Sequence, residues 1–295
     1  MSGIVSCNPE AELNMTNRRI TVVTPSQPTS DGAGVAIQRL GLAGNTRVDP
    51  VLMIDELKSP YREDFAAGFP PHPHRGMQTL TYMKHGGITH EDSLGNRGEI
   101  VDGGVQWMSA GRGVIHSEMP TQETQGMHGF QLWFNLPARE KMDPPRYRDI
   151  RREALPVLSN DRFSAVAIAG DWELDGESVT GALHELVPQA SMLDVNLEAS
   201  MALSFPVSAN DTALAYIYGG AISEQGRPIA SGNMVVAEGG EHWTITAGSE
   251  GAQMLVITGR PLREPVAAYG PFVMNTELQI RQAINDYQSG RFLDP

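Results

Sequence analysis

The sequence predicts an all-β protein built as two small barrels with a few short helices. Three observations predict it. Glycine (31) and proline (20) are abundant, which suits a chain that turns often. Short apolar runs separated by glycine turns recur through both halves, while long helix-forming runs are few. The chain has 295 residues, enough for two domains, or one large one, with sizeable cores.

Taken in order, residues 1–19 form a polar lead-in, and Ile20 to Thr24 is the first strand expected. Val35 to Leu40 is a short apolar segment between glycine turns, and Val51 to Leu57 reads as a buried strand. Residues 58–70 are loop, punctuated by Pro60, Gly68 and Pro70. Thr79 to Met83 continues as strand and turns at Gly86-Gly87, and Val105 to Met108 follows the tight turn at Asp102-Gly103-Gly104. Phe130, Leu132, Phe134 and Leu136 repeat at period two, which marks a strand that Pro137 stops. The Pro-, Arg- and Lys-rich stretch that follows reads as an interdomain segment. The expected organisation is a metal-binding domain over 1–140, a linker over 141–152 and a second barrel over 153–295. In that second half the runs 164–170, 191–197, 213–218, 234–236 and 253–257 are strands. At the end, Thr276 and Gln279 fit a capping box, Ile280, Ala283, Ile284 and Tyr287 share a helical face, and Gly290 is a fitting stop, so a helix is expected near 276–289.

The chemistry concentrates between Gly68 and Glu118. His72 and His74 form one i, i+2 pair, and His116 and Glu118 form another. On a strand such pairs point the same way. Two adjacent strands would aim three imidazoles and a carboxylate into one space, a donor set that suits a divalent transition metal such as iron. Pro73 lacks an N–H and therefore belongs at a strand start, an edge or a bulge, which favours a barrel mouth. A lone His-x-His more often makes ordinary hydrogen bonds; the two pairs together carry the reading. His184 and His242 in the second half have no such partner, so the second barrel is read as lacking the metal site. His85 is expected in an exposed turn, His90 and His128 in structural hydrogen bonds, and Glu91-Asp92 in a solvated loop rather than as extra metal carboxylates. Trp107, Met108, Phe130 and Trp133 suit either core packing or the wall of a pocket for a flat aromatic ligand.

The runs HPHRGMQTLTYM, THEDSLGN, VQWMSAGRGVIHSEMP and HGFQLWFNLP, with REPVAAYGPFVMNTELQIRQAINDYQSGRF near the C-terminus, resemble the pirin family of the cupins over nearly the whole chain. The resemblance implies a bicupin whose second domain generally lacks metal. It implies His72, His74, His116 and Glu118 as the ligands, and one metal ion, Fe(II), as the cofactor. Many cupins carry a further Glu four residues after the second histidine of the first motif; here that position is Gln78, an amide and a poor ligand, which leaves Glu118 as the carboxylate. The implied activity is quercetinase-type ring cleavage, with a flavonol-like aromatic substrate, O2, and Glu118 as ligand and general base. The alternative is an iron-dependent redox-sensing regulator acting through a protein partner. A sugar-nucleotide isomerase is a poorer reading, because no phosphate clamp is evident.

Composition narrows the classes. The formal net charge of −13 argues against non-specific nucleic-acid binding, which needs Lys and Arg to neutralise phosphates. No apolar run of about twenty residues is present to span a membrane, and no secretory leader is recognised, so a cytoplasmic location is expected. Cys7 is the single cysteine, which rules out an intrachain disulfide. No GxGxxG opens a helix, and no serine or cysteine nucleophile motif appears.

Overall fold

The structure is a computed structural model and describes residues 17–186 and 189–294; Cys7 and most of the polar lead-in lie outside the described residues. The first twelve strands are β1 Arg19–Pro25, β2 Gln27–Asp31, β3 Val35–Gly41, β4 Val51–Ser59, β5 Phe69–His74, β6 Met77–His85, β7 Ile88–Asp92, β8 Arg97–Ile100, β9 Val105–Ser109, β10 Val114–Pro120, β11 Met127–Asn135 and β12 Arg146–Ile150. A seven-stranded antiparallel sheet runs β12-β9-β6-β11-β4-β3-β2, and a four-stranded sheet runs β5-β10-β7-β8. Together they form the first barrel. The chain continues with β13 Val157–Ser159, β14 Phe163–Ala169, β15 Asp171–Leu174, β16 Glu177–Thr180, β17 Ser191–Leu197, β18 Ala202–Pro206, β19 Thr212–Glu224, β20 Arg227–Ala230, β21 Asn233–Glu238 and β22 His242–Gly259. A nine-stranded sheet wraps most of these into the second barrel, so the architecture is an all-β bicupin.

Two segments cross the boundaries expected from sequence. The first strand, β1, pairs antiparallel with β21 of the second barrel. Residues 146–150, inside the expected linker, form β12 and pair with β9 of the first. A sheet edge exposes a row of unpaired N–H and C=O groups. In both places a stretch of chain outside the barrel concerned supplies the missing partner.

Strand alternation decides what each barrel faces. Along β6, Leu80 and Tyr82 point one way; along β11, Phe130, Leu132 and Phe134 do the same. All five are buried in one core with Met192, Leu214, Tyr216, Leu255 and Ile257 of the second barrel. Burying a Leu or Phe fully is worth about 1.5–3 kcal/mol, so this shared layer is a major bond between the barrels. The opposite faces of the same strands, carrying Thr81 and Gln131, turn into the first barrel. Gln78 lies on the Leu80 face, and its Nε2 donates to the Glu185 carbonyl at 3.2 Å, directed toward the second half of the chain.

The chain ends with a hairpin, β23 Ala267–Tyr269 and β24 Phe272–Met274, and a helix, α1 Glu277–Gln288. Thr276 caps the helix: its Oγ1 accepts the Gln279 N–H at 3.2 Å, and the Thr276 N–H donates to Gln279 Oε1 at 3.1 Å. Ile280 and Ala283 are buried against Phe272, Met274 and Phe292, whereas Tyr287 stays 42% exposed. This terminal unit is seated on the first barrel. Arg75, next to His74, donates to Asp286 at 2.7 Å and lies 4.4 Å from the centre of the Phe292 ring. Gly76 (φ +80°) sits so close to β24 that a Cβ there would lie 2.1 Å from the Val273 carbonyl oxygen. The fully buried Lys141 Nζ bridges the same junction, donating to Gly76 O (2.7 Å), Asn135 Oδ1 (2.6 Å) and Val273 O (2.9 Å).

Candidate metal centre

β5 is the edge strand of the four-stranded sheet, where Pro70, Pro71 and Pro73 forfeit no ladder bond toward a further neighbour. It pairs antiparallel with β10, with His72 opposite His116 and His74 opposite Val114. The three imidazoles converge: ring centres are 4.4 Å apart for His72 and His116, and 4.9 Å for His74 with either of the others. One nitrogen from each lies within 4.8 Å of the other two.

Each ring offers a nitrogen to that space. His72 Nδ1 is 2.8 Å from the Pro70 carbonyl, which can only accept, so Nδ1 carries a proton and Nε2 is the nitrogen left to face a cation. His116 Nε2 and both nitrogens of His74 are buried with no hydrogen-bond partner. Burial, and next the neighbouring His72, hold His74 well below the usual histidine range, with the Pro271 carbonyl opposing weakly from outside hydrogen-bonding geometry. Burial, followed by His74, His72 and His90, does the same for His116. Both rings are therefore neutral at physiological pH, the form that binds a cation. Unpartnered buried imidazole nitrogens are costly in a folded protein, and three converging lone pairs fit a metal ion. The residues present thus suit the group that the sequence implies.

Glu118 enters from the same strand after a register shift between His116 and Glu118. It is 1% exposed. Its Oε1 accepts from Thr81 Oγ1 at 3.1 Å and its Oε2 from Gln131 Nε2 at 2.8 Å. Its carboxylate lies within 4.8 Å of ligand-type nitrogens of His116 and His90, forming a second group that overlaps the three-histidine group at His116. The single four-residue space expected from sequence is thus resolved into two groups sharing one imidazole.

The other histidines separate cleanly. His85 is exposed, near Asp102. His128 Nε2 meets Glu56 Oε1 at 2.9 Å, in a polar cluster that also includes Tyr216. His90 is fully buried and contacts His116 directly, Nδ1 to Nδ1 at 3.3 Å. Of the aromatic candidates, Trp107 and Met108 are core, with the Arg146 guanidinium over the Trp107 ring. Trp133 stands edge-on to His74, ring centres 5.2 Å apart.

A pocket of ≈ 800 Å³ opens over His72 and His74, walled by Leu52, Met53, Phe69, Trp133 and Val273. Its rim carries Arg39, which donates to both oxygens of Asp55 (2.8 and 2.6 Å) and also to Asp31. The solvated loop expected at Glu91-Asp92 is instead the end of β7, with the Asp92 side chain fully buried. Sequence reasoning missed Thr81 and Gln131. Only Gln131 left a trace: a polar residue inside the aromatic run FQLWF, on the face opposite Phe130 and Leu132.

Comparison with known proteins shows similarity over nearly the whole chain. Residues 35–134 match the sequence profile described as Pirin, and residues 192–293 match the Pirin C-terminal cupin domain. The chain is 42% identical to a Vibrio cholerae protein named "Putative quercetin 2,3-dioxygenase", over 94% of this chain and 98% of that one. It is 34% identical to human pirin over 93% of this chain and 94% of that one. The crystal structure of quercetin 2,3-dioxygenase from Acinetobacter baumannii superposes with a TM-score of 0.85 at 30% identity, covering 94% of this chain and 99% of that one.

Proposed function

The chain belongs to the pirin family, and from that premise we propose that it is a metal-dependent dioxygenase that opens the central ring of a flavonol. The metal is Fe(II), held by His72, His74, His116 and Glu118. The observation that carries this reading is the convergence of three imidazoles, two of them buried and neutral, beside a buried carboxylate under an apolar-walled pocket. The names of the Vibrio and Acinetobacter relatives support the substrate class.

When bound, iron supplies Lewis acidity and one-electron redox chemistry. The protein supplies the rest. At ≈ 800 Å³ the pocket is within the range that accommodates a drug-sized aromatic molecule, and Trp133 and Phe69 give it flat apolar walls. Glu118 accepts the proton of the flavonol hydroxyl, which makes the ring electron-rich toward O2. Thr81 and Gln131 are neutral donors, so they orient the carboxylate without adding a charge. O2 then adds across the central ring, which opens with release of carbon monoxide.

The test is oxygen uptake with quercetin by protein reconstituted anaerobically with Fe(II), beside His116→Ala. Metal-dependent uptake with loss of flavonol absorbance, absent in the variant, is the expected result. A metal-filled protein that consumes no oxygen would overturn the enzymatic reading. Pull-down with Fe(II)- and Fe(III)-loaded protein would then test the regulatory one.

A further inference from the structure

The register between β7 and β10 puts Glu118 opposite His90 and His116 opposite Asp92. As a result three side chains line up behind the metal-binding space. His116 Nδ1 is 3.3 Å from His90 Nδ1, and His90 Nε2 is 3.5 Å from Asp92 Oδ2. The His90 and Asp92 side chains are both 0% exposed, so bulk solvent does not reach this arrangement. The Tyr147 ring packs over His90, centres 4.7 Å apart.

We propose that His90 and Asp92 are positioning residues that select the tautomer of His116, leaving its Nε2 lone pair free toward the metal. The proposal rests on reading His116 as a ligand. It follows from counting protons. Where each ring carries a single proton, a nitrogen–nitrogen contact has one ring donating and the other accepting. Asp92 decides which. A carboxylate only accepts, and beside His90 Nε2 it favours a proton there. At 3.5 Å the contact is long for a hydrogen bond and acts mainly as an electrostatic bias. His90 Nδ1 then holds a lone pair, and His116 Nδ1 must donate to it. His116 Nε2 is left unprotonated, and it is the buried nitrogen that has no partner within the protein. His72 reaches the same state more directly, through the Pro70 carbonyl. Ligand histidines are commonly oriented through their second nitrogen; here one of them is oriented through another imidazole.

Asp92 is itself fixed, which makes the relay reversible by design. Its Oδ1 accepts the N–H groups of Leu94 (2.9 Å) and Asn96 (3.0 Å), and its Oδ2 accepts from Asn96 Nδ2 (2.7 Å). In Asp92→Asn the two backbone donors keep an oxygen at the Oδ1 position. The new amide nitrogen therefore takes the Oδ2 position and donates toward His90 Nε2, while the Asn96 amide rotates to accept. His90 is driven to carry its proton on Nδ1, and His116 on Nε2, which blocks the ligand atom. The wrong-tautomer effect of an Asp-to-Asn change behind a working histidine follows the same logic.

The experiment uses metal-free protein with 15N-labelled histidine. Long-range proton–nitrogen correlation spectra read the tautomers, and titration with Co(II) reads affinity. Wild type is expected to show His116 protonated on Nδ1 and His90 on Nε2. Asp92→Asn is expected to reverse both and to lose roughly 10–100-fold in Co(II) affinity with the melting temperature retained. His90→Leu should lose a similar factor, and His90→Gln, whose amide oxygen can accept from His116, should recover part of it. Wild-type His116 protonated on Nε2, or an Asp92→Asn protein with unchanged tautomers, would overturn the proposal. Unchanged Co(II) affinity in His116→Ala would instead remove His116 from the ligand set, a failure of the underlying reading that the tautomer spectra do not share.

Discussion

The two barrels are made of the same elements and filled in opposite ways. The second is packed with apolar side chains: Phe205 stands against Trp172 and Trp243 with ring centres 5.6 and 5.8 Å apart, within a core that also includes Leu193, Val195 and Ile217. The first turns Thr81, Gln131 and Glu118 inward beside the histidines of β5 and β10. Among the described residues, both groups of three or more metal-ligand-type side chains lie in the first barrel. A shared frame therefore does not make a site; the side chains on the inward faces do. Among the described residues the first barrel also concentrates the unpartnered buried imidazole nitrogens, three at His74 and His116 against one at His242 in the second. The layer between the barrels, in which Phe130 and Leu132 meet Leu214 and Ile257, lets the well-packed barrel brace the other.

Four experiments would break or sharpen that contrast. The largest effect is expected from His74→Ala, which removes a ring with both nitrogens unpartnered. Co(II) affinity should fall by more than roughly 100-fold, read by calorimetric titration, while the second barrel stays folded. Undiminished affinity would move the metal site elsewhere. Glu118→Gln should lower quercetin turnover by about 10²–10⁴-fold and metal affinity by a smaller factor. Equal losses in the two measurements would reduce Glu118 to a ligand alone.

Phe205→Ala attacks the opposite barrel. It should destabilise the protein by about 3–5 kcal/mol in a denaturant titration and leave the Co(II) affinity of the folded fraction unchanged. A lowered affinity would show that the second barrel shapes the site and does more than support it. The smallest effect, over any one pH unit, concerns the junction at Lys141. Burial pulls its pKa down from 10.5 to about 7. Between those values the unfolded chain still holds a proton that the folded chain has released, so stability should rise with pH across that window. The unfavourable contribution is complete below about pH 7. The slope is at most about 1.4 kcal/mol per pH unit, and Lys141→Met should abolish it in melts taken from pH 7 to 10. A slope unchanged by the substitution would assign it to another group.

Much of this was legible in the sequence because it depends on local spacing. The pairs His72/His74 and His116/Glu118 sit at i, i+2, and strand alternation alone puts each pair on one face. Pro73 marked the edge position that β5 occupies. The capping box at Thr276 was readable because its partners are three residues apart. Gln78 is instructive in between: its amide made it a poor ligand on chemical grounds, and its strand face then turned it toward Glu185. The unread parts depend on sequence-distant pairing. Thr81 and Gln131 reach Glu118 from β6 and β11, and neither carries a motif. His90 read as an ordinary hydrogen-bonding residue, and its partner His116 became apparent only through the β7–β10 register.

By itself, then, the sequence determined the all-β class, the two-barrel plan, and the two i, i+2 pairs of ligand-type side chains in the first half with none in the second. These follow from residue chemistry and from periods of two or of three to four residues, which any local stretch obeys. Only the tertiary structure decided that β1 completes the second barrel, that β12 belongs to the first, and that α1 is clamped against Arg75. It also decided which polar groups stand behind His116 and Glu118. The reason is that sheet closure and register bring together groups that are far apart along the chain, and a hydrogen bond between them leaves no periodic mark in the sequence.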